Sequence, residues 1–187
     1  MRVEFLGSVY RKEDFPPEDK LEVVFVGRSN VGKSSLVNMI TGRNVARVSK
    51  EPGRTRALNY FLLDRKVYLV DVPGYGFARA PKSEQERWRS LMDMYFERRK
   101  ENVKHLFLLI DSAVGVQKLD RQMIEWLEFM GVPFSVVLTK VDKAKQRELS
   151  RTLREVRELV GDSAIVLSSA KEGKGRKELL GRIFGDL

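Results

Sequence analysis

Apolar runs of four to seven residues alternate with amphipathic segments along most of the chain. Each run has the length of a buried strand, and several of the segments between them repeat apolar residues at helical spacing. The runs are residues 21–26, 57–63, 67–70, 106–110, 132–138 and 164–167. This alternation predicts an α/β fold in which helices cover both faces of a mainly parallel sheet.

Two of the runs, residues 57–63 and 67–70, are separated only by residues 64–66. Three residues are too few for a crossover helix, so we expect this pair to form an antiparallel hairpin at a sheet edge. The next helix is predicted to begin with a capping box, Ser83 with Glu86. It places one apolar stripe towards the core. The stripe residues are Trp88, Leu91, Met92, Tyr95 and Phe96.

A phosphate-binding loop follows the run 21–26 and precedes a helical stretch. Residues 27–34 fit G-x-x-x-x-G-K-[ST] in the strand-to-helix context that this motif requires. The glycines allow close approach of the backbone, Lys33 reaches the outer phosphates as a catalytic cation, and the Ser34 hydroxyl can ligate Mg²⁺. The sequence therefore predicts a nucleoside triphosphate site. Its phosphate-binding residues are Gly27, Arg28, Ser29, Asn30, Val31, Gly32, Lys33, Ser34 and Ser35.

A second signal, Thr-Lys-Val-Asp, directly follows the run 132–138. A fixed carboxylate at Asp142 can accept hydrogen bonds from N1–H and the N2 amino group of guanine, whereas adenine offers no such pair of donors. Sites built on polar pairing of this kind reject the wrong partner by roughly 10⁴ or more. We therefore predict guanine selection by residues Thr139, Lys140, Val141 and Asp142.

The turn Asp-Val-Pro-Gly follows the run 67–70. In phosphate-loop enzymes a strand-end Asp holds Mg²⁺, usually through water, and the following Gly can donate its N–H to the γ-phosphate. We therefore predict Asp71 as a metal ligand and Gly74 as a catalytic contact. Val72 and Pro73 belong to the same nucleotide-binding turn.

The connection between the first helix and the run 57–63 supplies another candidate metal ligand, Thr55. Its hydroxyl can complete the Mg²⁺ shell only while the γ-phosphate is present. The nucleotide contacts predicted in this connection are Pro52, Gly53, Arg54 and Thr55. From Arg43 to Arg56 the connection carries five basic residues against one acid. Such a loop either contacts RNA or is simply solvated.

A fifth segment, made of small residues, follows the run 164–167. Its residues Ser168, Ser169 and Ala170 can present backbone N–H groups to the guanine carbonyl. The five segments, in this order, resemble the five G motifs of translation-factor-type GTPases. More narrowly, they resemble the EngB family (also called YihA or YsxC) of bacterial ribosome-assembly GTPases, within the TrmE-Era-EngA-EngB group. The strings that carry this resemblance are GRSNVGKSSLVN, PGRT, DVPGYGFA, TKVDK and SSA.

The resemblance implies a three-layer P-loop GTPase fold of the Ras-like type, with one antiparallel edge strand. It also implies binding of GTP and GDP with Mg²⁺ as cofactor, and hydrolysis of GTP to GDP and phosphate. For this family, the expected role is a switch in maturation of the large ribosomal subunit, whose rRNA and proteins would be the partners.

Three positions bear on the mechanism. Tyr75 stands where Ras-type proteins have the Gln that orients the attacking water, so we expect slow intrinsic turnover and interpret Tyr75 as a packed residue of a switch loop. Asn30 matches the Asn that helps to hold K⁺ in related GTPases and is counted as a catalytic candidate; alternatively, it only accommodates an unusual backbone. Thr139 stands where many GTPases have Asn, and its shorter side chain calls the contact that braces the phosphate loop into question.

Length and composition limit the number of domains and the kinds of site that the chain can form. The 187 residues suffice for one domain with a substantial core, and the absence of cysteine excludes disulfides and thiolate metal sites. No apolar run approaches the roughly 18 residues that span a membrane, so we expect a cytoplasmic monomer without membrane contact.

Residues 1–20 are predicted to be an extension, either a strand or a loose arm, packed on a GTP-binding domain at residues 21–187. The net charge of +9 indicates polyanionic partners, and His105, the only histidine, is interpreted as structural.

Other function classes stay open at this stage. A signalling switch of the small-GTPase type, without RNA contact, is disfavoured by the missing Gln, by the lack of a lipidation cysteine and by the basic loop. An ATPase or nucleotide kinase is disfavoured by Asp142 and by the lack of an evident lid with catalytic arginines. A tRNA-modifying GTPase would need an additional domain.

Overall fold

In the computed structural model, which describes residues 1–46, 57–76 and 81–187, the chain forms a seven-stranded sheet with five α-helices. The strands are β1 (Val3–Val9), β2 (Glu22–Gly27), β3 (Leu58–Leu63), β4 (Val67–Asp71), β5 (Val103–Asp111), β6 (Phe134–Thr139) and β7 (Ile165–Leu167). The helices are α1 (Lys33–Thr41), α2 (Lys82–Arg99), α3 (Lys118–Met130), α4 (Gln146–Val160) and α5 (Arg176–Phe184). The predicted α/β class is confirmed.

The sheet order is β1-β3-β4-β2-β5-β6-β7. Strands β4, β2, β5, β6 and β7 run parallel to one another. Their carboxyl ends therefore meet at one edge of the molecule, where ligands of open parallel sheets bind. The phosphate loop, the turn after β4 and the segments after β6 and β7 all begin at this edge.

Strands β3 and β4 form the predicted antiparallel hairpin, in which Leu63 pairs with Val67. The hairpin does not lie at the border of the sheet, because β1 pairs antiparallel with β3 and takes the outer position. The N–H of Arg2 also donates to Asp64 Oδ1 at 2.7 Å, which joins the start of the chain to the hairpin turn. The first residues thus cover backbone groups of β3 that would otherwise be an open edge.

The core lies on both faces of the sheet because β2 and β5 are buried on both sides. On one face, Val24 and Val26 pack with residues of α2 and α3. On the opposite face, Val23 and Phe25 pack with residues of α1 and α5. Helix α4 covers β6 and the end of β5 through Val156 and its apolar neighbours. None of these described helices combines the length and apolar composition that crossing a membrane requires.

The predicted apolar stripe of α2 is present, but the predicted capping box is wrong. The Pro81 carbonyl accepts the N–H of Glu84 at 2.9 Å, so the first turn begins at Lys82 and Ser83 lies inside the helix. A hydroxyl within the first turn cannot act as the N-cap. Three members of the stripe are buried, and Trp88 and Leu91 are partly buried against them.

A buried ion pair fixes the C-terminal end of α2. Glu22 on β2 has no exposed surface, and its Oε2 accepts Arg99 Nη1 at 2.7 Å. Its Oε1 accepts the hydroxyls of Tyr60 and Tyr95 at 2.8 Å each. Arg99 also donates to the carbonyl of Pro16, so α2, the sheet and the segment before β2 meet at one point.

Candidate nucleotide-binding site

The loop from Gly27 to Lys33 has the backbone that a phosphate cradle needs. A Cβ on Gly27 would lie 3.0 Å from the carbonyl oxygen of Leu109, so a side chain there would collide with the neighbouring strand. Gly32 has φ 97°, in the left-handed region that glycine tolerates best. Asn30 also lies in that region, with φ 66°, which Asn adopts more readily than most residues. Helix α1 then begins at Lys33, so its N-terminus is turned towards the loop.

Lys33 and Asp71 form an ion pair between the phosphate loop and the end of β4. Both side chains are largely shielded from solvent, with exposures of 13% for Lys33 and 9% for Asp71. Asp71 and the Ser34 hydroxyl are hard oxygen donors, which is the type that Mg²⁺ prefers. Within residues 1–46, 57–76 and 81–187, His, Cys, Asp and Glu form no cluster of three or more that could hold a metal. The donor set thus suits an ion held mainly by one carboxylate, hydroxyls, phosphate and water.

The turn after β4 lies directly on the phosphate loop. The Ser29 N–H donates to the Tyr75 carbonyl at 2.7 Å, and the Tyr75 N–H donates to the Gly27 carbonyl at 3.1 Å. A Cβ on Gly74 would lie 3.0 Å from the Cα of Ser29, so only glycine fits without displacement. Gly74, whose N–H is predicted to donate to the γ-phosphate, is therefore held against the phosphate loop.

The Tyr75 side chain is directed into the protein. Its hydroxyl donates to Asp120 Oδ1 on α3 at 2.7 Å, and its ring packs edge to face on Trp88. Burial, followed by the neighbouring Asp120 charge, raises the pKa of Tyr75 well above its ordinary value. A neutral, hydrogen-bonded phenol in this position cannot orient a water at the phosphates, which agrees with the packing role expected for Tyr75.

The segments after β6 and β7 meet at the other end of the site. Ser169 Oγ donates to Asp142 Oδ1 at 2.8 Å, which fixes the carboxylate predicted to select guanine. Ser169 Oγ in turn accepts the N–H of Glu172 at 3.1 Å. The Val141 N–H donates to the Ser168 carbonyl at 3.2 Å, so the two turns are joined through their backbones as well.

The shorter side chain of Thr139 does not remove the brace on the phosphate loop. Its Oγ1 donates to the Val31 carbonyl at 2.6 Å and is fully buried. The backbone of β6 comes close enough to the loop for a hydroxyl to span the distance. Lys140 adds a second brace, since its Nζ donates to the Asn30 carbonyl at 2.9 Å and lies 3.2 Å from Asp111 Oδ2.

A groove of about 640 Å³ connects the phosphate loop with the segments after β6 and β7. Of the predicted nucleotide contacts, its walls include Gly32, Ser35, Thr139, Lys140, Asp142, Ser168 and Ala170. It also includes residues that were not among the predicted nucleotide contacts, such as Asn38, Lys143 and Lys171. The predicted contacts Pro52, Gly53, Arg54 and Thr55 lie outside the described residues. Most of the basic connection also lies outside them, although Arg43 Nε donates to the Met1 carbonyl at 2.8 Å.

Asp111 and Asp120 support this site and were missed by sequence reasoning. Asp111 directly follows the apolar run 106–110, so its position at a strand end was an available signal. Asp120 lies in the first turn of α3, and nothing in the local sequence links it to Tyr75, which is 45 residues away.

His105 lies at the opposite end of the sheet, near the start of β5. Its Nε2 is 2.6 Å from Ser135 Oγ, which also accepts Arg182 Nη1 at 2.6 Å. Burial, together with the charges of Arg182 and Lys104, lowers the pKa of His105 to about 4. This neutral, packed imidazole agrees with a structural role.

Comparison with known proteins decides the family. A family model described as "50S ribosome-binding GTPase" matches residues 22–140, more than half of the chain. A curated relative from Aquifex aeolicus (strain VF5), named probable GTP-binding protein EngB, is 66% identical over 98% of this chain and 100% of its own length. The chain belongs to the EngB family of P-loop GTPases. Another EngB relative, from Petrotoga mobilis, is 44% identical over 99% of this chain and 97% of its own length.

Solved structures show the same fold. A crystal structure of a probable GTP-binding protein EngB has a TM-score of 0.71 and 31% identity, and the alignment covers 87% of this chain and 96% of that one. A structure of Era in complex with MgGDPNP and a segment of 16S ribosomal RNA has a TM-score of 0.66 and 25% identity. That alignment covers 87% of this chain and 55% of the Era chain. The predicted P-loop GTPase fold and the EngB resemblance are thus confirmed, and the protein is a GTPase.

Proposed function

We propose that this GTPase acts as a nucleotide-controlled switch in assembly of the large ribosomal subunit. The proposed nucleotide binding rests on one observation, which is that a groove joins the phosphate loop to the Asp142–Ser169 pair. The ribosomal part is supported by the description of the matching family model as a 50S ribosome-binding GTPase. It is also supported by the net charge of +9, since ribosomal RNA is a polyanion.

For base recognition, we assign Asp142 to the two donors on the Watson–Crick edge of guanine. Ser169 holds one carboxylate oxygen at 2.8 Å, which keeps the carboxylate from rotating away from the base. The turn from Ser168 to Ala170 would present its backbone to the guanine carbonyl. An adenine base would leave the carboxylate without its donors, so ATP is a poor substrate on this assignment.

For phosphate recognition, Lys33 would exchange its present partner, Asp71, for the outer phosphates of GTP. The exchange frees the Asp71 carboxylate, and Asp71 and Ser34 are the described residues that would hold Mg²⁺. Magnesium, when bound, neutralises charge that develops on the phosphates during hydrolysis. We place Gly74 at the γ-phosphate, and the backbone bonds between Tyr75 and the phosphate loop would have to adjust when that phosphate binds. Thr55 remains a proposed metal ligand.

The attacking water has no side-chain positioner among Gly74, Tyr75 and Gly76, so we propose slow intrinsic hydrolysis that a cation or a partner accelerates. K⁺ near Asn30 is the cation proposed here. The left-handed backbone of Asn30 equally supports the simpler interpretation that Asn is there for its conformation. Exchange of Na⁺ for K⁺ at constant ionic strength should raise the turnover number, and Asn30→Ala should abolish the rise. Equal rates in the two salts would remove K⁺ from the mechanism.

The switch function is tested by co-sedimentation with purified large ribosomal subunits. We expect more protein to sediment with a non-hydrolysable GTP analogue than with GDP, because the loops that contact the γ-phosphate are the ones that change between the two states. Small subunits at the same concentration are the control for nonspecific binding. Equal sedimentation with both nucleotides, or no preference for the large subunit, would contradict the proposal.

A further inference from the structure

The helix that follows the guanine-binding segment carries arginines along its solvent side. Helix α4 buries Thr152 and Val156 on one side, where it covers β6. Arg147, Arg151 and Arg154, which we call the arginine face, are exposed on the other side. At a rise of 1.5 Å per residue, the three arginines span about 10 Å along the helix axis.

In the described part of the chain, the arginine face makes one ion pair, and that pair is long. Arg147 and Arg154 have no carboxylate within 4 Å in the described part of the chain. Arg151 lies 3.9 Å from Glu155 and donates to the Ala113 carbonyl at 3.3 Å, so it is partly held in place. The nearby Glu148 is occupied at the start of the helix, where its Oε1 accepts the N–H of Lys145.

The arginine face borders a groove that is lined by charged and polar residues. Its walls are Lys145, Arg147, Glu148, Ser150, Arg151 and Arg154, around a volume of about 610 Å³. None of the large apolar side chains found exposed in the described residues belongs to α4. A helix that enters a lipid surface presents apolar residues beside its cations, so this face does not have the character of a membrane anchor.

The geometry points to the arginine face of α4 as a docking surface for the phosphate backbone of structured RNA. Arginine binds phosphate through a planar fork of N–H donors, and a row of exposed arginines offers such forks without reading bases. Contacts of this kind release counterions, so they contribute affinity that falls with salt. The choice of RNA over other polyanions rests on the proposed ribosomal function.

The arginine face is also connected to the nucleotide site through buried hydrogen bonds. Thr152 Oγ1 donates to the Ser112 carbonyl at 2.8 Å, and Ser112 Oγ donates to the Thr139 carbonyl at 2.6 Å. Thr139 then braces Val31 of the phosphate loop. RNA docked on α4 would therefore contact a helix that is rigidly joined to the groove for GTP.

The test uses a protein in which Arg147→Gln, Arg151→Gln and Arg154→Gln are combined. Its matched control combines Lys12→Gln, Lys66→Gln and Arg98→Gln, which removes the same charge from exposed positions on other elements. Binding to a fluorescent RNA hairpin and to purified large subunits is measured at several salt concentrations, with GDP affinity and thermal unfolding as checks on the fold. Arg154→Gln alone is the second variant should the triple variant fail to fold.

We expect the triple variant to bind RNA and subunits at least about tenfold more weakly than the control. The slope of log K against log salt should become shallower by about 2 to 3, since roughly one unit is lost per phosphate contact. GDP affinity should stay unchanged, because none of the three arginines lines the nucleotide groove.

If the parent binds subunits and the triple variant binds as tightly as its control, the inference is overturned and the ribosomal function stands. If the parent binds subunits in neither nucleotide state, the proposed function fails instead. Binding of the parent, the triple variant and the control to vesicles of phosphatidylcholine and phosphatidylserine is measured as well. Loss of vesicle binding in the triple variant, with RNA binding intact, would assign the face to an anionic lipid surface and overturn the assignment to RNA.

Discussion

At the scale of single residues, Thr139 shows how a buried hydroxyl joins two parts of the site. Its Oγ1 reaches the Val31 carbonyl at 2.6 Å, while its own carbonyl accepts the N–H and the hydroxyl of Ser112. Asn, with its longer amide, is therefore not required for this contact. The position shows that loop bracing depends on the distance between backbones as much as on the residue type.

Thr139→Val should loosen the phosphate loop, because Val keeps the shape of Thr but leaves the Val31 carbonyl without its donor. A buried acceptor without a partner costs about 1 to 3 kcal/mol. We expect the free energy of unfolding in urea to fall by that amount and GDP affinity to fall several-fold. Thr139→Ser, which keeps the hydroxyl, should retain GDP affinity close to that of the parent. Parental stability and affinity in Thr139→Val would show that the bond contributes nothing.

His105 predicts a pH dependence of stability. Its pKa is lowered to about 4 in the folded protein, against about 6.5 in an unfolded chain, so the unfolded state binds more protons between these values. Stability should therefore fall as pH drops from 7 to 5, by up to about 2 kcal/mol, with solvent screening reducing this figure.

The measurement is urea unfolding of the parent and of His105→Gln at both pH values. His105→Gln should lose less stability than the parent over this range, because Gln does not titrate. Carboxyl groups with raised pKa values, Glu22 and Asp120, remain in both proteins and cancel in the comparison. An identical pH dependence in the two proteins would contradict the buried, neutral imidazole.

At the scale of elements, helix α2 is held differently at its two ends. Near its N-terminal end, Trp88 Nε1 donates to the Pro73 carbonyl at 2.6 Å, which ties the helix to the turn after β4. At its C-terminal end, Arg99 is fixed by buried Glu22. On the proposed function, the first contact involves a segment that would adjust to the γ-phosphate, whereas the second joins parts of the core. Helix α2 therefore has one end fixed in the core and one end that the proposed function would couple to nucleotide.

Arg99→Met should destabilise the protein strongly, because it leaves the buried Glu22 carboxylate without its cation. Removing one partner of a buried pair costs about 3 to 5 kcal/mol. Arg98→Met, on the exposed side of the same helix, should change stability by no more than about 0.5 kcal/mol. Urea unfolding of both variants provides the measurement. If Arg99→Met lowers the free energy of unfolding as little as Arg98→Met does, the ion pair does not anchor α2.

Most helices and strands could be predicted from the sequence because their signals are local. The same holds for the phosphate loop and for the segments after β6 and β7, which lie at the two ends of the candidate site. The runs that became β2 and β5 are continuous and apolar, and the phosphate loop has a fixed spacing of glycines and lysine. The pairing of Tyr75 with Asp120 had no such signal, because it joins residues far apart in the chain. The position of β1 outside β3 was equally hidden, since a short N-terminal run fits either a strand or an arm. The capping box failed because the N-cap of α2 is Pro81, two residues before the predicted Ser83.

At the scale of the whole molecule, the parallel strands bring the predicted nucleotide contacts of the described residues to one edge, and helix α4 lies on the same side of the sheet as α2 and α3. The proposed switch depends first on guanine selection, because a switch that did not distinguish GTP from ATP would not report the state of the GTP pool.

The most direct measurement is the affinity of the parent and of Asp142→Asn for GTP and for xanthosine triphosphate. The amide of Asn can donate to the C2 carbonyl of xanthine, whereas it no longer accepts from both donors of guanine. We expect the parent to prefer GTP and Asp142→Asn to prefer xanthosine triphosphate, with GTP affinity reduced by roughly 100-fold or more. Unchanged preference for GTP in the folded variant would contradict the assignment of Asp142 and, with it, the guanine site.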